Sequence, residues 1–176
     1  MFSGASGSSA KNLEGFGVCV LDAIRRHLAT LACPFREVHH PPTRTSEESA
    51  AARGEPLHIG GKALLMKGDD EQFRLFVLPA DEKLDSQAIR QTLGLKKTRF
   101  ASAEELLALT GLVPGSVPPF GRPILPFDLF VDQGIADNDR IAFNAGSLTD
   151  SIILSTVDYL RAAQPNQIFR FGKPAE

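Results

Sequence analysis

The first long hydrophobic pattern of the chain has the period of a helix. Apolar side chains recur every three or four residues at Phe16, Val20, Ile24, Leu28 and Leu31. This spacing predicts an amphipathic helix of about four turns that packs one face against a core. Two shorter helices are predicted further along, because a Ser or Thr followed three residues later by Glu forms a capping box. The capping boxes are Thr45 with Glu48 and Ser102 with Glu105.

Short hydrophobic runs in the middle and last part of the chain predict strands. Residues 58–67 and 73–80 flank a polar connection and are apolar on both faces, which predicts a hairpin in a sheet covered on each side. Further strands are predicted at 124–131, 140–143 and 151–155. Because the hairpin connections are too short for parallel crossovers, the pattern predicts one α/β domain with a mixed or largely antiparallel sheet.

Composition indicates one globular domain. The 176 residues are 43% hydrophobic and 23% charged, which is ordinary for a soluble protein of this length. We predict a flexible Gly/Ser/Ala-rich tail at 1–13, a folded domain at 14–171 and a C-terminal tail at 172–176. The apolar runs are strand-length and fall short of the ~20 residues that cross a bilayer, so no membrane partner is expected.

Charge, cysteines and motifs exclude several classes of protein. The formal charge of −2 excludes the broad positive field of proteins that grip nucleic acid mainly through its phosphates. Two cysteines fit a reducing cytosol, so a cytoplasmic location is expected. The absence of HExxH, CxxC, GxSxG, Walker and GxGxxG motifs removes sequence support for zinc proteases, triad hydrolases, P-loop enzymes and Rossmann enzymes.

Lys62 is the first candidate for chemistry. In an alternating strand it shares a face with Leu64 and Met66, where an unpaired ammonium is costly to bury. Gly60 and Gly61 precede it and would let a ligand approach the backbone closely. Two interpretations stay open: a lysine that reaches out to water, or a contact to an anion or ester oxygen in a cleft.

The segment from Pro114 to Gly121 predicts a stiff loop. Pro-Gly favours a type II turn with Gly115 at positive φ, and Pro118-Pro119 restricts the backbone that follows. The amides of residues 115–117 would then have fixed directions, as stabilisation of a developing oxyanion requires. A rigid connector without chemistry is the alternative.

Residues 143–150 combine small and polar side chains between two predicted strands. Such a segment either forms a pocket wall or is an ordinary hairpin loop. Cys33, at the end of the first helix, is a further candidate nucleophile, although no histidine is paired with it in the sequence.

Six segments, taken in this order and at this spacing, resemble the YbaK/ProX family, the free-standing relatives of the prolyl-tRNA synthetase editing domain. The resemblance extends from about Phe35 to Ala163. The segments are Val38–Pro42 followed by Glu47 and Glu48, Lys62–Leu65, Val77–Asp85, Leu93–Gly94 followed by Lys97, Leu109–Gly111, and Pro114–Gly121.

The resemblance implies an aminoacyl-tRNA deacylase that acts in trans. Such proteins hydrolyse the ester between a wrong small amino acid (Ala, Ser, Thr or Cys) and the 3′ end of a tRNA, usually tRNA(Pro). It also implies a compact domain with a curved, barrel-like mixed β-sheet flanked by helices, and no metal or other cofactor. The expected partner is the acceptor end of aminoacyl-tRNA. Because the net charge is small, either the affinity for tRNA is expected to be weak, or prolyl-tRNA synthetase or an elongation factor is expected to supply it.

The resemblance also assigns residues. The family's lysine falls on Lys62, expected near the terminal ribose or phosphate, and its Gly-x-x-x-Pro loop falls on Gly115–Pro119. Asn144 is expected to hold the α-amino group or the attacking water, which makes Lys62, Gly115 and Asn144 the expected catalytic residues. The expected substrate-binding residues are Gly61, Ser116, Val117, Pro119, Gly146 and Ser147.

Two departures from the family bear on the substrate. Ala63 stands where alanine-specific relatives have Asn and cysteine-specific relatives have Thr, and Asn144 stands where relatives have His or Ser. The amino acid removed is therefore less determined than the reaction. Two alternatives remain: a non-catalytic module of the same fold that binds aminoacyl-tRNA or an aminoacyl-adenylate, and a hydrolase that uses Cys33.

Overall fold

The computed structural model describes the backbone of residues 12–175 and the side chains of residues 20–175. The tail predicted at 1–13 lies outside this description except for its last two residues, which begin the first helix. The described helices are α1 Asn12–Thr30, α2 Ser46–Arg53, α3 Ser86–Leu93, α4 Ala103–Thr110, α5 Gln133–Asp137 and α6 Thr156–Ala163, with a short 3-10 helix at Leu57–Ile59. The described strands are β1 Arg36–His39, β2 Gly61–Gly68, β3 Phe73–Pro79, β4 Glu82–Leu84, β5 Thr98–Phe100, β6 Asp128–Asp132, β7 Arg140–Asn144, β8 Asp150–Ser155, β9 Gln167–Phe169 and β10 Gly172–Pro174.

Helix α1 has the burial that its spacing predicts. Val20, Ile24 and Leu28 are buried in the main core, and Leu31 packs against the same cluster. The side chain of Phe16 lies outside the described residues. Both predicted capping boxes are present, at the starts of α2 and α4. Within residues 12–175, no helix is both long enough and apolar enough to cross a bilayer.

The strands form three sheets. The largest has the order β5-β2-β3-β6-β9, in which β2 is antiparallel to β3 and β5 while β6 is parallel to β3 and β9. The second is antiparallel, in the order β1-β8-β7, and the third pairs β10 with β4. The architecture is therefore one α/β domain with a mixed main sheet, as the sequence predicts.

The expected barrel-like closure is wrong, because the sheets do not close on one another. Strand β7 pairs with β8 along one edge and is the edge strand of the second sheet. The described backbone joins the two larger sheets by one isolated parallel bridge, between Gly60 and Ala142. The floor of the candidate site described below lies beside this junction.

Strand β3 is buried on both faces, as its continuous apolar run predicts. Leu75 and Val77 belong to the core that α1 and α6 cover, while Phe76 and Leu78 belong to a second cluster covered by α3. Alternate residues of one strand therefore serve two cores.

The C-terminal segment is tied to the domain beyond the predicted boundary at 171. Phe171 is buried in the second cluster, and β10 follows it in pairing with β4. The fully buried carboxylate of Asp132 accepts hydrogen bonds from the amides of Phe171 and Gly172, both at 2.6 Å, and from Arg170 at 2.9 Å. Paired structure thus continues through Pro174 into the segment predicted as a tail.

Candidate active site

A polar cleft of about 220 Å³ lies where α2, the start of β2, the end of β7 and the turn at 113–117 meet. Five of the nine residues predicted for the site line it together: Gly61, Lys62, Gly115, Val117 and Asn144. Lys62 and the Gly115 turn, more than fifty residues apart in the sequence, thus face one hollow. This arrangement is the one expected of a lysine and a loop that act on the same ligand.

The other four predicted residues do not line the cleft, and their hydrogen bonds go to other parts of the protein. Ser116 donates its hydroxyl to the carbonyl oxygen of Val113 at 2.7 Å. Gly146 donates its amide to the carbonyl of Ser116 at 2.9 Å, and the carbonyl of Pro119 accepts from the hydroxyl of Tyr159 at 2.6 Å.

Ser147 makes only local contacts of this kind. Its hydroxyl bonds to the carboxylate of Asp150 at 2.8 Å and to the hydroxyl of Thr149 at 2.9 Å. Direct substrate contact is therefore not the role that this geometry favours for Ser116, Pro119, Gly146 or Ser147.

Lys62 is half-buried and keeps donors available. Its Nζ donates to the carbonyl oxygen of Glu82 at 2.5 Å, and no carboxylate of residues 20–175 lies within 4.0 Å of it. Burial lowers the pKa of the Lys62 ammonium from its ordinary value, although nearby carboxylates partly oppose the shift. An ammonium has three N–H donors, so two remain for a ligand in the cleft.

Gly60 and Gly61 serve packing more than ligand approach. A Cβ on Gly61 would lie 2.6 Å from Cδ1 of Ile141, and one on Gly60 would lie 2.8 Å from the Cβ of Ala80. Both distances are far inside van der Waals contact. Gly61 therefore lets β2 approach β7, and Gly60 lets the chain pass close to Ala80 just before Lys62.

The turn before Val117 has the predicted type II form. The amide of Ser116 donates to the carbonyl of Val113 at 3.1 Å, and Gly115 has φ of +89°. The Ser116 amide is thus used inside the turn, which corrects the expectation that it faces a ligand. The amides of Gly115 and Val117 make no hydrogen bond within residues 12–175 and remain available.

Asn144 is buried, and its side-chain amide is fully engaged. Its Nδ2 donates to the carbonyl of Gly115 at 2.8 Å and approaches the hydroxyl of Thr43 at 3.5 Å. Its Oδ1 accepts from Arg53 at 3.0 Å and from Ser151 at 3.1 Å. Both ends of the amide thus contact protein groups, and its shortest bond holds the backbone turn. The geometry favours a positioning role for Asn144 over the direct contact predicted for it.

Arg53 is the residue that sequence reasoning missed. It ends α2 with only 8% of its surface exposed, and its Nε donates to the hydroxyl of Ser151 at 2.9 Å. The nearest acidic residue in sequence, Glu55, is held instead by Arg36 and Arg140, at 2.7 and 2.8 Å. No carboxylate of residues 20–175 forms an ion pair with Arg53.

The free end of Arg53 faces the cleft. Nε and Nη2 are engaged, whereas Nη1 makes no hydrogen bond within residues 20–175 and is not enclosed by protein. Burial lowers the pKa of the guanidinium to about 10, so it stays charged at neutral pH. The arrangement offers a ligand an unpaired, desolvated positive donor, which forms a stronger hydrogen bond than a neutral one.

A buried polar network holds these groups. The hydroxyls of Thr43 and Ser49 are 2.8 Å apart, and Nε2 of His40 lies 2.8 Å from the hydroxyl of Ser151. Nδ1 of His40 lies 2.9 Å from the carbonyl of Pro41, and since a carbonyl only accepts, Nδ1 carries a hydrogen. The His-Pro segment that the sequence singles out therefore lies behind the cleft as support.

The sequence carried one weak signal for Arg53. Ser49, Ala50 and Arg53 lie on one face of α2, so its buried face is partly polar. Ala51 and Ala52 lie on another, apolar face of α2, so the sequence pattern alone does not show which of the two faces is buried.

Cys33 is not placed to act in this cleft. It is buried at the end of α1 near Arg161, whose Nη2 lies 3.2 Å from its Sγ, and it is not among the residues that line the cleft. Burial raises the pKa of the thiol, which disfavours the reactive thiolate. The structure gives no support to a hydrolase that uses this cysteine.

Comparison with known proteins agrees with the geometry. The sequence model of the family described as "Aminoacyl-tRNA editing domain" matches residues 40–162. The Multifunctional Ser/Thr-tRNA deacylase ProXp-y of Escherichia coli (strain K12) is 40% identical over 139 residues, which cover 76% of this chain and 82% of that protein. The Proline--tRNA ligase of Shouchella clausii is 35% identical over 105 residues, covering 60% of this chain but 18% of the ligase.

A solved structure shows the same fold. The crystal structure of a candidate trans-editing enzyme for prolyl tRNA synthetase superposes with a TM-score of 0.76 at 22% identity, covering 95% of this chain and 99% of that one. At this identity the likeness concerns the fold alone. The family match and the E. coli relative, by contrast, concern the sequence over most of the domain. The chain belongs to the aminoacyl-tRNA editing domain family.

Proposed function

We propose that the cleft binds the 3′ end of a mischarged aminoacyl-tRNA and hydrolyses its ester through Lys62, Arg53 and the Gly115 turn. The reaction class rests on the family: a member of the aminoacyl-tRNA editing family that is 40% identical to a curated deacylase is an aminoacyl-tRNA deacylase. The observation that carries the roles is that three cations without a carboxylate partner among residues 20–175, Arg44, Arg53 and Lys62, line the same cleft as two residues with unbonded backbone amides.

The chemistry suits these groups. Water attacks the ester carbonyl carbon, the bond to the ribose oxygen breaks, and the ribose oxygen takes up a proton as the amino acid leaves. No carboxylate or imidazole of residues 20–175 lines the cleft, so the described side chains act by positioning and charge. The amides of Gly115 and Val117 are the proposed oxyanion donors, and such a donor contributes about 3 kcal/mol.

Lys62 is proposed to bind the ribose or the terminal phosphate. Its ammonium lies on β2 at the edge of the cleft and has two free donors. Phosphate and sugar oxygens are acceptors, and a point charge on a flexible stem suits a phosphate.

The floor of the cleft supports serine or threonine as the amino acid removed. Nη1 of Arg53 and the hydroxyl of Ser49 are polar groups at this floor. A substrate hydroxyl accepts from Nη1 of Arg53, whereas the methyl group of alanine leaves that donor unpaired, and a site built for a hydroxyl discriminates strongly against its absence. The E. coli relative is a Ser/Thr-tRNA deacylase by its name, which is consistent with this choice. As tRNA carrier we propose tRNA(Pro), and as further partners prolyl-tRNA synthetase or an elongation factor, since the charge of −2 is small for unaided tRNA binding.

A panel of charged tRNAs tests the proposal. Ser, Thr, Ala and Cys are each placed on tRNA(Pro), and release of the amino acid is followed with the full chain, Lys62→Ala and Lys67→Ala. Lys67 lies on the same strand but pairs with Glu71 outside the cleft, so it is the matched control. We expect fast release of Ser and Thr, loss of release in Lys62→Ala, and no change in Lys67→Ala. Binding of a non-hydrolysable aminoacyl-tRNA without any release would instead indicate the non-catalytic binding module.

A further inference from the structure

A second hollow, of about 230 Å³, adjoins the cleft. The two share Ala63, Leu64, Gly115 and Val117 as walls. The remaining walls of the second hollow come from β2, β5, the start of α4 and the turn at 113–117, and they are mostly apolar: Leu65, Phe100, Ala101, Leu106 and Pro114. A ligand in the cleft can therefore extend into an apolar space without leaving the protein.

Phe100 stands out in this hollow. It lies at the end of the edge strand β5 and is 56% exposed. The other large hydrophobic residues exposed among the described side chains are all aliphatic. Single exposed apolar residues are ordinary, but here an aromatic ring borders an open hollow that is continuous with a polar cleft.

We infer that the second hollow receives the adenine base of the tRNA's 3′-terminal nucleotide, with Phe100 stacking on it. The inference rests on the proposed function, because the ester in the cleft is attached to the ribose of that adenosine. The base must then lie within one ribose of the ester, and the adjoining hollow is at that reach. An exposed aromatic ring among apolar walls is what single-stranded base recognition uses.

Two positively charged side chains near β5 support a path for the tRNA strand past Phe100. Lys96 and Lys97 precede the strand, both are exposed, and neither pairs with a carboxylate of residues 20–175. A chain that leaves the hollow past Phe100 would bring its next phosphates toward these two ammonium groups. Because every tRNA ends in adenosine, this subsite holds the end of any tRNA and leaves selection to the amino-acid pocket.

A fluorescent probe tests base binding directly. The chain contains no tryptophan, so Phe100→Trp introduces a single one, beside the proposed base. The ligand is serine joined by an amide to 3′-amino-3′-deoxyadenosine, which cannot be hydrolysed as an ester. We expect saturable quenching and binding about tenfold tighter than that of the same compound lacking the base, which corresponds to one stacked base.

Kinetics provide the second arm. In Phe100→Ala and Phe100→Leu we expect KM for seryl-tRNA to rise about tenfold with kcat nearly unchanged, since stacking on the base holds the substrate without touching the ester. Leu109→Ala is the matched control, because Leu109 is 42% exposed on α4 and does not line the hollow. It should leave both constants unchanged.

The outcomes separate the two proposals. Hydrolysis by the full chain with unaltered kinetics in both Phe100 variants overturns the adenine subsite and leaves the proposed function intact. Base-dependent quenching without hydrolysis supports the subsite and overturns the proposed reaction. Equal binding of the compounds with and without the base overturns the subsite whatever the activity is.

Discussion

Nη2 of Arg53 donates a hydrogen bond to Oδ1 of Asn144 at 3.0 Å, and this contact joins the end of α2 to the end of β7. Asn144 in turn holds the carbonyl of Gly115 at 2.8 Å. One amide therefore fixes both a buried cation and the backbone turn that carries the proposed oxyanion donors. The arrangement makes the geometry of the cleft depend on a residue whose amide contacts protein groups at both ends.

Asn144→Ala is expected to lower both stability and activity. It leaves Nη2 of Arg53 and the carbonyl of Gly115 without partners, and an unsatisfied buried polar group costs about 1–3 kcal/mol. Urea unfolding and deacylation kinetics measure the two effects. Asn144→Asp retains an acceptor for Arg53 but places a carboxylate oxygen where Nδ2 donates to the carbonyl of Gly115, so it should not recover kcat. Full activity in Asn144→Ala would contradict a positioning role.

Arg53→Met is expected to remove the preference for hydroxyl-bearing substrates. Methionine fills a similar volume but offers no donor to a substrate hydroxyl, and a hydrogen bond to a charged group contributes about 1.5–3 kcal/mol. The ratio of kcat/KM for Ser-tRNA over Ala-tRNA should fall by about tenfold or more. Arg36→Met is the control, because Arg36 is exposed and pairs with Glu55 outside the cleft. An unchanged ratio in Arg53→Met would assign hydroxyl recognition elsewhere.

The burial of Lys62 predicts an upper pH limit for activity. Burial lowers the pKa of its ammonium below the ordinary value of 10.5, so it loses its proton at lower pH than an exposed lysine. Activity that needs the charge therefore falls as the pH rises through that lowered pKa. In Lys62→Arg the fall should move to higher pH, because a guanidinium holds its proton more tightly than an ammonium. Rates are measured after subtraction of uncatalysed ester hydrolysis, and identical profiles for the two proteins would refute the prediction.

The lowered pKa of Lys62 also determines how the free energy of unfolding changes with pH. The unfolded chain binds the proton of Lys62 more tightly than the folded chain does. The free energy of unfolding therefore rises with pH between the lowered pKa and 10.5. The contribution of Lys62 to the stability of the folded state is smallest at neutral pH. Lys62→Met should lack this contribution, while Lys67→Met should keep it. Urea midpoints between pH 7 and pH 10 compare the two variants.

Gly115→Ala is expected to lower kcat as well as stability. Gly115 has φ of +89°, where an L-residue costs about 1–3 kcal/mol, and the added Cβ would meet Leu148 at 3.4 Å. Gly94→Ala is the matched control, since Gly94 has φ of +68° with open space around it and lies away from the cleft. Both variants should lose stability, but only Gly115→Ala should lose kcat. Equal activity in the two would remove the turn from the mechanism.

The features that the sequence predicts correctly depend on residues close to one another in the chain. The stripe on α1, the two capping boxes and the turn at Gly115 each depend on a few neighbouring residues. Lys62 could be singled out because a lysine interrupts an apolar face within one strand. Such features need no knowledge of what packs against them.

The missed features depend on contacts between distant segments. Arg53 acquires its setting from Asn144 and Ser151, which lie more than ninety residues further along the chain. The engagement of the Asn144 amide has the same origin, so its saturation could not be seen from the loop sequence. The failure of closure likewise depends on distant segments, because a single β-bridge in the described backbone, between Gly60 and Ala142, joins β7 to the main sheet.

The hydrogen bonds that the carboxylate of Asp132 accepts from the C-terminal segment have a consequence for truncated variants of the protein. Removing the residues after Arg170 would strip two amide donors from a carboxylate that has no access to water, and would uncover the aromatic cluster that Phe171 closes. Deletion variants that end at Arg170 should therefore precipitate during purification, whereas variants that end at Pro174 should remain in solution.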